Sequence, residues 1–133
     1  MPRYASALLA SPEATYRSID LAGRTGGADG HALVELLYDE LVRALGIAAW
    51  AAERRDFKVK GERVTRAVAI LFALENGLDF GRGGDVSKTL ATLYASTRQS
   101  VIDASIGQDP APFRTAAANI AEIASAWRQL KAA

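Results

Sequence analysis

The chain has 133 residues, half of them hydrophobic, with sixteen basic and fifteen acidic side chains and a formal net charge of +1. One domain of that size buries a core without staples; with no cysteine, thiol nucleophiles, thiolate metal sites and disulfides are excluded together, as suits a reducing cytosol. Balanced charge with no long run of either sign argues against nucleic acid or a membrane surface as an electrostatic partner, and no apolar run is long enough for membrane insertion.

Residues 1–30 differ in kind from the rest. Gly23, Gly26, Gly27 and Gly30 make a flexible approach to the first long helix. Upstream, Ser11, Pro12 and Glu13 read as N-cap, first-turn proline and early acid of a short helix through about Leu21, with Tyr16 and Ile19 as its apolar contacts. So short a helix is marginal alone and must fray or dock. The sequence MPRYASALLASPEA at the start is a poor match to a cleaved signal.

The first long helix is expected over about 31–54. Leu33, Leu37, Leu41, Leu45 and Ala48 recur every three to four residues beside Val34, Tyr38, Val42 and Ala49. That stripe is wider than a coiled-coil seam and needs several helices to cover it. Glu35, Asp39, Arg43 and Glu53 project into water on the other side.

Asp56 caps a second helix over about 56–78, with Phe57, Val64, Ala67, Val68, Leu71, Phe72 and Leu78 on its inner face. Gly81 to Gly84 reads as a connection leading to Asp85, the expected N-cap of a third helix over about 85–106. Val86, Leu90, Leu93, Thr97, Val101 and Ala104 form its inward stripe, and Gly107 closes it. Asp109 and Pro110 open a fourth helix over about 110–131, whose stripe runs from Phe113 through Ile120 and Trp127 to Leu130. Its many alanines permit either close helix approach or shallow grooves that something else fills. Short links between four long helices predict an all-α, antiparallel up-down four-helix bundle, preceded by a short N-terminal helix or mobile segment.

Catalytic constellations are missing. His31 is the only histidine and has no metal-ligand spacing or catalytic partner nearby, so a structural role is expected. Glu35 and Asp39 lie one turn apart on the wettest face and read as ordinary acids. Gly81 to Lys88, GRGGDVSK, follows a helix and lacks the Gly-Lys-Ser/Thr ending of a phosphate loop. No enzyme, cofactor or metal is therefore expected. What stands out is hydrophobicity in the wrong direction. Trp50 falls among Asp39, Arg43, Gly46 and Glu53; Val59 and Ile70 join Arg63 and Leu74; Ile102 and Ile106 leave the Leu90–Val101 side. Apolar groups on successive elements can mark one binding surface.

The chain resembles the flagellin export chaperone family, the FliS type, over Tyr16 and then about Leu33 to Leu130. Leu37-Tyr38-Asp39 is similar to its LYD near the start of the first helix. Leu78-Asp79 followed by Gly83-Gly84-Asp85 resembles its LD…GG[ED] junction, and Leu90, Leu93-Tyr94, the segment from Ile102 to Asp109, and Trp127 agree in kind and spacing. Glu40 stands where the family usually has glycine, and Ser96 departs from its LYxY pattern. The resemblance implies a cytoplasmic chaperone that holds the disordered C-terminal region of flagellin, prevents premature polymerisation and aids type III export. An export-gate component and other flagellar regulators are implied as further partners. On that reading the client site is expected at Val59, Ile70 and Leu74 of the second helix and Tyr94, Ile102 and Ile106 of the third, with Leu36 and Trp50 as outlying positions. Tyr16 and Ile19 are expected to cover part of the client groove when it is empty. The alternative is a regulatory or homodimerising bundle without flagellin as client.

Overall fold

Local capping chemistry decides where each helix starts and stops. A computed structural model describes residues 30–132, and the short helix expected near residues 11–21, with Tyr16 and Ile19, lies outside the described residues. Helix α1 runs Gly30–Arg54, α2 Phe57–Asn76, α3 Phe80–Ile106 and α4 Ala111–Ala132. At the end of α1, Arg55 takes a left-handed φ of 58°. The Asp56 and Arg55 amides donate to the Ala51 and Ala52 carbonyls, which is the Schellman arrangement that satisfies a helix C-terminus. Asp56 then caps α2, its carboxylate accepting from the Val59 amide at 3.1 Å. At the start of α4 the Asp109 carboxylate accepts from the Ala111 amide at 2.9 Å.

The glycine-rich junction differs from expectation. The N-cap of α3 is Asp79, which accepts from the Arg82 amide, and not Asp85. The helix opens with one turn, breaks at Gly84 (φ 52°, ψ −125°) and resumes. The Asp79 carbonyl holds the two pieces together by accepting from the Gly83 amide and from the Ser87 hydroxyl, each at 2.8 Å. The segment read as a loop is thus a capped kink, because Asp79 satisfies the new helix's orphan amides six residues before Asp85 is reached.

Cross-helix pairs show the topology. Glu40 meets Arg66, Glu75 meets Arg98, and Asp39 and Glu53 meet Arg128 and Arg114. Residue numbers run in opposite senses between α1 and α4, and between α2 and α3, where Lys60 also reaches Gly107; with short links between successive helices, the four alternate up and down around one core. α1 packs on α2 and α4, α2 also on α3, and the contact between α3 and α4 is the thinnest. The centre holds Tyr38, Leu45, Leu71, Leu90, Ile120 and Trp127, all buried.

Aromatic groups fasten the open end. The His31 ring stacks on Trp127 with centroids 4.3 Å apart. Its Nε2–H donates to the Trp127 carbonyl, and the Trp127 indole N–H donates to the His31 carbonyl, both at 2.8 Å. His31 is structural, as expected: it ties the start of α1 to the end of α4. The Tyr38 and Tyr94 hydroxyls meet at 2.7 Å inside the bundle.

Candidate functional site

Four seams run along the outside of the bundle, one between each pair of neighbouring helices, and α2 separates two of them. The burial pattern of α2 differs from the one its spacing predicts. Ile70 and Leu74, expected on a client surface, are buried in the core, while Phe57 and Phe72, expected inside, are exposed. α2 lies between α1 and α3, so its covered arc extends toward both neighbours and takes in Ile70 on the α1 side. Tyr94 is corrected in the same way, being buried with its hydroxyl on Tyr38. These three residues are packing groups, and their substitution acts on stability first.

The seam between α2 and α3 carries the most apolar exposure. Phe57 is 59 % exposed and Ile106 85 %, with Phe72 and Ile102 also exposed. Cations flank this stripe. The Arg98 guanidinium sits 4.1 Å over the Phe72 ring and binds Glu75 at 2.5 Å. Lys60 is buried; its ammonium lies 5.2 Å from the Phe57 ring centre and donates to the Gly107 carbonyl at 2.8 Å. That bond satisfies the C-terminal end of α3 and brings Phe57 and Ile106 to the same end of the bundle. Gly61, one turn on from Phe57, is exposed, and a side chain there would meet nothing within 4 Å. The result is a shallow apolar channel open to water along its length, with the exposed Gly61 beside it.

Between α3 and α4 lies a furrow of about 460 Å³, with Ser96, Ser100, Thr115 and Asn119 along its sides. A further hollow of about 390 Å³ continues it past Ala104 to Gly107. Small side chains leave this space open, as the alanine-rich fourth helix allowed. On the wheel of α3, Ile102 lies nearly opposite Ser100, so the furrow and the apolar channel occupy different flanks of α3.

Val59 is half-buried on the α1 side of α2, while Leu36 and Trp50 are exposed on α1. None of the three adjoins the channel that Ile102 and Ile106 border. Sequence reasoning missed Phe57, Phe72, Gly61 and Lys60; the two phenylalanines at helical spacing looked like core, and only the seating of α2 shows otherwise. Among the described residues no group of three or more His, Cys, Asp or Glu is placed to hold a metal, and no helix is long and apolar enough to cross a membrane.

A sequence model of the FliS family, described as flagellar protein FliS, matches residues 12–133. The chain is 29 % identical over 116 residues to the flagellar secretion chaperone FliS of Salmonella typhimurium, covering 86 % of each chain. It is 29 % identical over 115 residues to the protein of the same name from Vibrio cholerae, covering 86 % of this chain and 85 % of the relative. It is 27 % identical over 112 residues to the flagellar secretion chaperone FliSB of Pseudomonas aeruginosa, covering 84 % and 89 % respectively.

Proposed function

The chain belongs to the FliS family, and on that premise we propose that it is a cytoplasmic flagellar secretion chaperone that holds the disordered C-terminal region of flagellin until export. The observation that supports this most directly is the exposed stripe of Phe57, Phe72, Ile102 and Ile106 along α2 and α3. An amphipathic client helix anchors by apolar groups one turn apart, and the exposed Gly61 lets its backbone come close. The α3/α4 furrow, walled by hydroxyls and an amide, suits a more extended stretch of the same client.

Folding of the client on these surfaces buries on the order of a thousand Å² or more, while ordering it sacrifices several kcal/mol, so binding is selective yet reversible. Holding and release need no catalytic step in the chaperone itself. Tyr16 and Ile19, on this proposal, compete for the client's place from within the chain, where tethering supplies an effective concentration in the millimolar range.

The test is a titration of a labelled flagellin C-terminal peptide. Ile102→Asp with Ile106→Asp is expected to weaken binding at least tenfold with helicity unchanged, and Gly61→Gln to weaken it by obstructing the channel. Removal of residues 1–21 is expected to tighten it. Unchanged affinity in the double aspartate variant sinks the assignment of the channel, and unchanged or weaker binding after truncation sinks the competing role of Tyr16 and Ile19.

A further inference from the structure

The seam between α1 and α2 lies apart from the α2/α3 stripe that carries the client proposal, and it is built unlike ordinary surface. Leu36 is 54 % exposed and Trp50 48 %; both stand on the outward face of α1, about 21 Å apart along its axis. Between them Arg43 meets Arg63 and Arg66 of α2 around a notch of about 210 Å³ that also includes Glu40. Arg66 is held by Glu40 at 2.6 Å. Among the described residues, Arg43 and Arg63 have no carboxylate within ion-pair distance, and Arg63 is half-buried. Three guanidiniums against one carboxylate leave the notch with two uncompensated charges, that of Arg63 partly withdrawn from water and that of Arg43 exposed.

We propose that this seam is a second docking surface, which takes an acidic segment of another protein. Carboxylates enter the arginine notch, where the planar guanidinium fork matches their geometry. Apolar side chains of the same segment seat on Leu36 and on the edge and free face of Trp50, whose other face carries the Arg54 guanidinium 4.6 Å from the ring centre. A second copy of this chain is a poor occupant, because a two-fold contact sets the arginines against one another. A nucleic acid is also disfavoured: it carries a charge about every 1.7 Å of duplex, whereas the notch is short and bears Glu40. The surface lies across α2 from the apolar channel, so both can be filled at once.

The probe is a fluorescein-labelled synthetic peptide of about fourteen residues, the length that spans Leu36 to Trp50 as a helix, with Glu pairs flanking Leu and Ala. Its counterpart has Lys in place of Glu, and a single-stranded oligonucleotide serves as competitor. The full chain is expected to bind the acidic peptide at least tenfold more tightly than the lysine version, with a blue shift in the emission of exposed Trp50. Arg43→Glu with Arg63→Glu is expected to lose tenfold or more, and Arg43→Gln with Arg63→Gln an intermediate factor, while binding of the flagellin C-terminal peptide stays unchanged. Equal binding of the two peptides, retention of affinity in the double reversal, or tighter binding of the oligonucleotide at these arginines overturns the proposal. Failure of the flagellin peptide to bind counts only against the client reading.

Discussion

Gly61 and Gly84 are both positions where an added methyl group would meet nothing within 4 Å, yet the two should respond oppositely to it. Gly61 is an ordinary helical residue of α2, so Gly61→Ala gains backbone order and is expected to stabilise by about 0.5–1 kcal/mol. Gly84 has φ 52°, a conformation that costs a residue with a side chain of order 1–3 kcal/mol. Gly84→Ala is therefore expected to lower the urea midpoint and Gly61→Ala to raise it. If both substitutions shift it the same way, local backbone conformation is not what decides these sites. The same distinction explains the family-like motifs. Leu37-Tyr38-Asp39 places Tyr38 in the core, and Leu78-Asp79 with Gly83-Gly84 builds the cap and kink of α3. These residues were legible because folding depends on them, so they mark the fold more than the partner surface.

Within the elements, α2 shows where periodicity runs out. Its apolar residues cover too much of the helix circumference for spacing alone to say which will be enclosed, and the outcome depends on how it sits between α1 and α3. Lys60 illustrates the point: nothing in the sequence marks it as buried, but it is the group that closes the end of α3 by reaching the Gly107 carbonyl. Lys60→Met keeps the apolar stem and removes the donor. It is expected to cost about 1.5–3 kcal/mol, the range for a hydrogen bond to a charged group. Hydrogen exchange should show faster opening in the last turn of α3. A variant of wild-type stability with unchanged exchange there would mean that water replaces the ammonium without loss.

For the whole molecule, the question is what the surplus apolar surface meets. Eight large hydrophobic residues are exposed among the described residues, four of them on the α2/α3 channel. A patch of that kind either waits for a partner or joins copies of the chain. The client reading expects light scattering to report a monomer across a wide concentration range, with Phe72 and Ile102 accessible. An obligate dimer that buries those two residues would favour the homodimerising alternative instead. The thin contact between α3 and α4 belongs to this scale as well, since it leaves the bundle open along one side without disturbing its core.

The order of amino acids was enough by itself to establish four helices, their up-down connection and most of the core. Those properties follow from spacing along one helix and from capping chemistry within a few residues, both written locally in the chain. The N-cap of α2 at Asp56 and the structural part played by His31 were readable for that reason. Trp50, Ile102 and Ile106 were read correctly as facing outward, but for the apolar residues of α2 and for Tyr94 enclosure was decided only in three dimensions. Ile70, Leu74 and Tyr94 went inward, Phe57 and Phe72 outward, and Arg43, Arg63 and Arg66 came together across two helices. Enclosure depends on the rotation and spacing of neighbouring helices, and those are properties of the packed assembly that no single segment encodes.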